Sequence, residues 1–343
     1  MIIVLKSGPT DEDIVCIEEH VRRAGYEPHT IRGEVRTVVA AVGDEAEHAS
    51  LVSLKSLDIV ENVLPIQKRY KLIARETHPE TAKVDVGGQI IGGGTFQVIA
   101  GPCAVESLEQ MVEVVAALNG CGSAILRGGA FKPRTSPYDF QGLKSEGLRI
   151  LHETKSRFGL PVVSEVVRES DLEKVGKVAD MLQIGARNAM NYSLLERAAD
   201  TGKPVLLKRG MAQTVDEWLL SAEYLVKRGN RNIVLCERGI RTFETAVRNT
   251  LDLSAVALAK KECALPVIVD PSHAAGRVDL IIPLAKAAVA VGADGLIVEV
   301  HPHPSEARSD PAQQLSPKQF SLLMSEIRPY VELSGKKMPD MRS

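Results

Sequence analysis

One short stretch of this sequence holds an unusual density of groups that bind anions. Ile125-Leu-Arg-Gly-Gly-Ala-Phe-Lys-Pro-Arg-Thr-Ser136 starts as an apolar run and continues, after a glycine pair, with Lys132, Arg134, Thr135 and Ser136. Cations fixed beside a proline, together with hydroxyl groups, suit a phosphate better than a flexible run of charge does. The stretch alone is equally typical of a solvated turn, so its interpretation depends on what the rest of the chain places beside it.

More cations stand where other apolar runs end. Those at four predicted strand ends are Arg127, Arg187, Lys208 and Arg238. The carboxylates that could neutralise them are Glu165, Glu237 and Asp270. Because the four cations, with Lys132 and Arg134, outnumber these three carboxylates, one or more anionic substrates explain the set better than structural ion pairs do. A nucleotide triphosphate is not favoured, since the chain contains no P-loop motif.

A second set of side chains has the chemistry of metal ligands. Cys103, His273 and Glu299 follow three predicted strands, and Asp310 lies in the loop after the last of them. A thiolate, an imidazole and two carboxylates fit a borderline divalent metal such as Mn, Fe, Co or Zn. Taken alone, each residue has a simpler explanation, because most cysteines are small buried side chains and most carboxylates are solvated. Their joint placement at one end of a barrel predicts a metal site.

The elements that must position these residues follow one repeated pattern, a short apolar strand and then an amphipathic helix. The predicted strands cover residues 98–100, 124–126, 162–164, 181–184, 205–207, 233–235, 267–269 and 296–298. The clearest predicted helices cover residues 108–118, 143–158, 215–227 and 280–291. This pattern predicts an α/β fold of the (β/α)8 TIM-barrel type, in which the strand ends form the active face. A doubly wound sheet is the alternative fold, but no G-x-G-x-x-G motif follows a strand.

The residues before the barrel predict a small separate domain. Strands near 2–6, 27–32, 37–42 and 59–65, with helices near 10–24 and 46–56, give residues 1–66 the βαββαβ order of a ferredoxin-like domain. Residues 67–82 are predicted to form a linker. The barrel is predicted over residues 83–343, beginning with a β-hairpin around Gly87-Gly88 that could close the barrel bottom.

Composition excludes several classes of partner. The 343 residues carry a formal net charge of −2 and 4% aromatic residues, so neither a basic field nor a base-stacking surface indicates nucleic-acid binding. No apolar run reaches the roughly 20 residues that span a bilayer, and the first residues lack the pattern of a signal peptide. Five scattered cysteines without a C-x-x-C pair indicate reduced thiols and a cytoplasmic enzyme.

Several of these motifs together resemble the 3-deoxy-D-arabino-heptulosonate 7-phosphate (DAHP) synthase family, in its short microbial subclass with an N-terminal ferredoxin-like domain. The resemblance covers essentially the whole chain. The matching motifs are Gly101-Pro-Cys103, Lys132-Pro-Arg-Thr-Ser136, Gly185-Ala-Arg-Asn188, Lys208-Arg-Gly210, Glu237-Arg-Gly-Ile-Arg-Thr-Phe-Glu244, Asp270-Pro-Ser-His273 and Glu299-Val-His-Pro302. The resemblance implies condensation of phosphoenolpyruvate with erythrose 4-phosphate and water, which is the first step of the shikimate pathway to the aromatic amino acids.

The resemblance also implies a role for each residue of the predicted site. The residues expected to bind phosphoenolpyruvate are Arg187 and Arg238 at its phosphate, and Arg127, Lys132 and Lys208 toward its carboxylate. Those expected to receive the phosphate of erythrose 4-phosphate are Arg134, Thr135 and Ser136. The expected metal ligands are Cys103, His273, Glu299 and Asp310. Lys132 is expected to protonate the nascent alkoxide or to assist the attacking water, and it joins Cys103 and His273 as the expected catalytic residues.

Two alternatives to this activity are open. The sister family, which makes 3-deoxy-D-manno-octulosonate 8-phosphate from arabinose 5-phosphate, shares the barrel and the phosphoenolpyruvate site. Its motif is Lys-Ala-Asn-Arg-Ser where this chain has Lys132-Pro-Arg-Thr-Ser136. The other alternative is a non-catalytic binding barrel with a decayed site, and the complete set of predicted metal ligands argues against it.

The resemblance assigns the N-terminal domain to feedback regulation. The expected effector is an aromatic amino acid, tyrosine or phenylalanine, bound between such domains of neighbouring subunits in a homotetramer. A role in assembly alone, or as a lid, is the alternative. The native metal is open, because several metals suit the same donors.

Overall fold

The computed structural model describes residues 1–33, 36–43, 50–64, 69–76, 78–119 and 121–339. The chain divides into two compact units, Met1–Arg69 and Tyr70–Ser343. Of the described residues, none belongs to a helix that is both long and apolar enough to cross a membrane.

The first unit is built on a four-stranded antiparallel sheet. Its strands are β1 (Ile2–Leu5), β2 (Glu27–Arg32), β3 (Thr37–Val42) and β4 (Val60–Leu64), in the order β2-β3-β1-β4. Helix α1 (Asp11–Arg23) begins at Thr10, whose side chain accepts from the Asp13 N–H while the Asp13 carboxylate accepts from Thr10. This arrangement confirms the ferredoxin-like prediction.

Two predicted boundaries of this unit reach residues outside the described part. The predicted second helix covers residues 46–56, of which 46–49 are not described, and the described part contains a 3-10 helix at Val52–Ser56. The end of the predicted last strand, at residue 65, also lies outside the described residues. The core of the unit lies between the sheet and α1 and includes Ile3, Leu5, Ile17, Val21 and Val39.

The second unit is a closed barrel of eight parallel strands, as predicted. The strands are β7 (Gln97–Gly101), β8 (Ile125–Arg127), β9 (Val162–Val166), β10 (Met181–Ile184), β11 (Val205–Lys208), β12 (Ile233–Glu237), β13 (Val267–Val269) and β14 (Gly295–Glu299), after the hairpin strands β5 (Val84–Val86) and β6 (Gln89–Ile91). The barrel closes where β14 pairs with β7, with Glu299 opposite Gly101. Nearly continuous burial along each strand explains the unbroken apolar runs of the sequence.

Helices surround the barrel. They are α2 (Leu108–Leu118), α3 (Ser145–Phe158), α4 (Leu172–Val178), α5 (Tyr192–Asp200), α6 (Val215–Lys227), α7 (Leu253–Glu262), α8 (Pro271–Ala275), α9 (Ile281–Ala290) and α10 (Pro317–Leu333). Shorter 3-10 helices cover Glu169–Asp171, Ala186–Asn188, Val278–Leu280, Pro304–Glu306 and Pro311–Gln313. The four predicted barrel helices are all present. Helix α3 begins at Ser145 rather than at residue 143, because Lys144 before it has a left-handed φ of 55° that a helix cannot include.

The predicted hairpin closes the bottom of the barrel. Its turn residues Gly87 and Gly88 have φ values of 57° and 89°, which glycine adopts without strain. Val84, Val86 and Ile91 of the hairpin form one apolar cluster with the inward side chains of the strands, such as Ile99. The barrel interior is therefore filled with apolar side chains at this end, and the candidate functional side chains lie at the opposite, C-terminal ends of the strands.

Candidate active site

The predicted metal ligands meet at the C-terminal face of the barrel. Glu299 is the last residue of β14, Cys103 follows β7, and His273 lies in α8 directly after β13. Asp310 stands in the loop after β14, with a left-handed φ of 50°. One ligand atom from each of the four residues can be chosen so that all lie within 4.8 Å of one another. Residues separated by most of the barrel sequence thus form one compact group.

Neighbouring side chains leave the donor atoms of this group free to face a metal. The Nδ1 atom of His273 lies 2.7 Å from Asp270 Oδ2, which leaves Nε2 at 3.4 Å from Glu299 Oε1. That Glu299 oxygen is buried and, among the described residues, has no hydrogen-bond partner, although Arg127 Nη1 lies 3.2 Å away. Cys103 Sγ lies 3.4 Å from Asp310 Oδ2. Sulfur, nitrogen and two carboxylate donors with an orphaned buried oxygen fit a metal ion.

Without a bound metal, the surroundings of the metal group favour ionised carboxylates and a protonated thiol. Burial raises the pKa of Cys103 to about 12, and Glu299 adds to the rise. Burial acts in the same direction on Asp310, but Arg248 and then His273 outweigh it and lower the pKa of Asp310 to about 2. Burial likewise opposes ionisation of Glu299, yet His273 and Arg127 lower its pKa. Binding of a metal at the thiol would therefore release a proton.

A strongly basic cleft adjoins the metal group. Its volume is about 120 Å³, and both His273 and Asp310 line it. The cations in its wall are Lys132, Arg134, Arg187, Lys208, Arg238 and Arg248. So many cations around so small a volume suit a small molecule with several negative charges.

Of the three predicted carboxylate partners, only Asp270 forms an ion pair with a cation of this wall, Lys208. Glu237 accepts from Arg209 at 3.0 Å rather than pairing with Arg238, and Glu165 accepts from Gln183 at 3.2 Å. Asp270 accepts from Lys208 and also holds His273, and these two groups outweigh burial to keep the pKa of Asp270 well below its usual value. In the described part of the chain no carboxylate forms an ion pair with Arg187 or Arg238. These two guanidinium groups are available to an anion.

Two buried cations converge on the main chain of Cys103. Lys132, 8% exposed, donates from Nζ to the Cys103 carbonyl oxygen at 3.0 Å, and Arg127 Nη2 donates to the same oxygen at 3.4 Å. Burial opposes the charge on Lys132, but Cys103 and Glu165 raise its pKa. Lys132 also lines the cleft, whereas Arg127 does not. Lys132 is therefore shared by the cleft and the metal group.

The remaining residues of the predicted basic loop divide into two groups. Arg134 and Thr135 line the cleft, where Arg134 donates to Ser309 Oγ at 2.5 Å and Thr135 accepts from Arg187 at 3.1 Å. The Ser136 hydroxyl instead accepts from the Tyr138 N–H at 3.3 Å and is not part of the cleft wall. No helix occurs in residues 128–144, all of them described, so this segment is a loop as expected.

Sequence reasoning missed several residues of the site. Arg248 comes from the loop between β12 and α7, and its Nη1 atom lies 3.4 Å from Asp310 Oδ2. The Gln313 amide donates to the Glu299 carboxylate, and the Gln314 amide accepts from the Cys103 N–H. The long loop after β12, which contains several arginines, is the signal that could have identified Arg248. The glutamines give no comparable signal, because buried amides are found wherever loops need internal hydrogen bonds.

Glycines permit the close approaches that shape the site. A Cβ atom at Gly185 would lie 2.0 Å from Glu165 Oε1, and one at Gly101 would lie 2.1 Å from the Arg127 carbonyl oxygen. Gly101 also has a φ of 151°. These two positions require glycine so that the strand ends can carry Glu165 and Arg127 toward the centre of the barrel mouth.

Known proteins match both units of the chain. The DAHP synthetase I family matches residues 72–332, and the DAHP synthase ferredoxin-like domain matches residues 1–68. Phospho-2-dehydro-3-deoxyheptonate aldolase of Thermotoga maritima is 50% identical over 338 residues, which make up 98% of this chain and 100% of that protein. The crystal structure of phospho-2-dehydro-3-deoxyheptonate aldolase (DAHP synthase) from Thermotoga maritima, at 50% identity, covers 98% of both chains with a TM-score of 0.90. The 2-dehydro-3-deoxyphosphooctonate aldolase of Fusobacterium nucleatum is 34% identical over 249 residues, which are 66% of this chain and 88% of that protein.

Proposed function

This chain belongs to the DAHP synthetase I family, and we propose that it joins phosphoenolpyruvate and erythrose 4-phosphate to make DAHP and phosphate. The family match confirms the resemblance that the sequence motifs carry. In this reaction C3 of phosphoenolpyruvate attacks the aldehyde carbon of the sugar phosphate. Water then adds at C2, and phosphate leaves with cleavage of its bond to C2. The observation that carries the proposal is the basic cleft beside the four metal-ligating side chains.

The cations of the cleft wall suit phosphoenolpyruvate. We assign its phosphate to Arg187 and Arg238, because neither guanidinium has a described carboxylate partner. We assign its carboxylate to Lys132 and Lys208, with Arg127, which shares the Cys103 carbonyl with Lys132, on the same side. Holding two anions that repel each other in water is a large part of the catalysis expected here.

Erythrose 4-phosphate is assigned to the other side of the cleft. Arg134 and Thr135 lie in the wall there, and Ser136 follows them in the same loop. Cys103, His273, Glu299 and Asp310 would hold a divalent metal such as Mn, Fe, Co or Zn. The chemistry that such a metal supplies when bound is Lewis-acid polarisation of the aldehyde oxygen. Lys132 has its ammonium group at the border of both regions, so we assign it the proton for the nascent alkoxide or the orientation of the attacking water.

The choice of sugar phosphate tests the proposal directly. The purified full chain is supplied with phosphoenolpyruvate and either erythrose 4-phosphate or arabinose 5-phosphate, and loss of the enol absorbance is followed. Turnover with erythrose 4-phosphate is expected. Turnover with arabinose 5-phosphate alone would assign the chain to the activity of its more distant relatives. Turnover with neither would favour a non-catalytic barrel.

The N-terminal unit completes the proposal. Since residues 1–68 match a ferredoxin-like domain of DAHP synthases, we assign it feedback regulation by an aromatic amino acid, tyrosine or phenylalanine. The proposed assembly is a homotetramer. All five cysteines are free thiols, which supports the proposed location in the cytoplasm.

A further inference from the structure

Two consecutive glutamines follow the aspartate of the metal group. Gln313 and Gln314 are 2% and 1% exposed, and none of the roles proposed above involves them. The backbone next to them is fixed to the end of β14 by two hydrogen bonds. The Leu315 N–H donates to the Glu299 carbonyl oxygen at 2.8 Å, and the His301 N–H donates to the Leu315 carbonyl oxygen at 2.9 Å. The two side chains are thus held at defined places beside the metal-ligating residues.

Gln313 controls the orientation of the Glu299 carboxylate. Its Nε2 atom donates to Glu299 Oε2 at 2.7 Å, so that the other oxygen, Oε1, faces His273 Nε2 at 3.4 Å. Its Oε1 atom accepts from Arg248 Nη1 at 2.8 Å. A neutral amide can donate to the carboxylate and accept from the guanidinium at the same time, which no charged side chain in this position could do.

Gln314 connects the two loops that carry Cys103 and Asp310. Its Oε1 atom accepts from the Cys103 N–H at 3.0 Å, and its Nε2 atom donates to the Ser309 carbonyl at 2.8 Å. Ser309 precedes Asp310, and its hydroxyl lies 3.1 Å from Cys103 Sγ. One side chain therefore ties the cysteine loop to the aspartate loop.

We propose that Gln313 and Gln314 are positioning residues of the metal site, which present Glu299, Cys103 and Asp310 in the geometry that a metal ion needs. The inference rests on the metal group of the proposed function. Without Gln313, Glu299 Oε2 would be buried without its donor, and the orientation of the carboxylate would depend on the contacts of Oε1, such as the one with Arg127 Nη1 at 3.2 Å. Side chains that orient metal ligands in this way commonly change metal affinity about 10- to 100-fold when replaced.

Metal binding by glutamine variants tests the inference. The full chain is stripped with chelator and titrated with Co(II) alone, and the dissociation constant and the cobalt absorption spectrum are recorded. The variants are Gln313→Met and Gln314→Met. The matched control is Gln213→Met, because Gln213 is 3% exposed, donates to Ser221 at 2.9 Å and accepts from Gly210 at 2.9 Å, outside the metal group.

The expected result is a Co(II) dissociation constant raised about 10- to 100-fold and an altered cobalt spectrum in the two variants, with both unchanged in the control. Gln313→Asn covers the case in which the methionine variants do not fold. Its amide is one methylene too short to reach both partners, so weaker Co(II) binding is again expected. Affinity and spectrum equal to those of the parent protein in the variants that fold would overturn the inference. The parent protein should bind Co(II), and Cys103→Ala should abolish that binding. If either result fails, the proposed metal site is wrong, and not only the role of the glutamines.

Discussion

Lys132 donates a hydrogen bond from Nζ to the carbonyl oxygen of Cys103 at 3.0 Å. The lysine of the basic loop and the cysteine of the metal group are thus joined by one contact, although 28 residues of chain lie between them. The contact places the ammonium group where the cleft and the metal group meet. Lys132 is therefore expected to act on a substrate that is held next to the metal ligands.

Replacing Lys132 with methionine should abolish most of the activity. The variant keeps an unbranched side chain one atom shorter but removes the charge and the proton, and general acid–base groups contribute about 10²- to 10⁴-fold to rate. A fall of that size in kcat is expected in steady-state assays with phosphoenolpyruvate and erythrose 4-phosphate.

Two comparisons separate this effect from damage to the metal group or to the fold. The metal content of Lys132→Met, measured in parallel, should match that of the parent. Lys177→Met is the control, because Lys177 is an exposed lysine of α4 paired with Glu173, and its kcat should not change. Full activity of Lys132→Met would rule out a catalytic role for Lys132.

Removal of the metal should abolish activity without unfolding the barrel. Chelation is expected to reduce turnover to background, and Mn, Fe, Co or Zn should restore it, because the four donors have the chemistry of a metal site. Cys103→Ala should lower the bound metal per chain, measured by elemental analysis. Cys263→Ala is the matched control, since Cys263 is an equally buried cysteine that packs in the apolar layer outside the barrel strands. Full activity after chelation would show that the metal site is wrongly assigned, even if the enzyme assignment holds.

The sequence predicts the metal group better than the cation network, and the reason is geometric. Cys103, His273 and Glu299 each lie at or just after the C-terminal end of a short apolar strand, so barrel topology alone brings them together. The pairing of Glu237 with Arg209 instead of Arg238 depends on which way two adjacent side chains point after the strand ends. No periodicity encodes that direction.

The fold shows the same division between regular elements and loops. Eight apolar runs predict the eight strands, and the helix predicted near residues 10–24 is present as α1. The short helix α8 is not predicted, because Asp270-Pro-Ser-His273 reads as a turn until the Asp270 side chain accepts from the His273 N–H at 2.9 Å. Arg248 and Gln313 reach the site through loops whose paths are set by tertiary contacts rather than by local sequence.

Two glycine-to-alanine substitutions should have opposite effects on stability. Gly185→Ala places a Cβ atom 2.0 Å from Glu165 Oε1, so it should lower the free energy of unfolding by about 1–3 kcal/mol. It should also reduce activity, because Glu165 lines the cleft.

Gly176→Ala lies within α4, where the atom nearest to the added Cβ is a Lys203 side-chain carbon at 3.7 Å. That variant should be stabilised by about 0.5–1 kcal/mol. Denaturant unfolding of both variants checks the prediction, and destabilisation of equal size in both would contradict it.

Deletion of Met1–Arg69 should separate catalysis from regulation. The barrel unit has its own apolar core and contains the whole candidate site, so turnover should persist in the shortened chain. The cut preserves Tyr70, which is 7% exposed and packs in the barrel core. If the ferredoxin-like unit binds the effector, inhibition by tyrosine or phenylalanine should be present in the full chain and absent after the deletion. Initial rates with each amino acid, measured on both proteins, decide the matter. Inhibition that survives in the shortened chain would place the effector site on the barrel. A full chain that neither amino acid inhibits would favour a role of the N-terminal unit in assembly or as a lid.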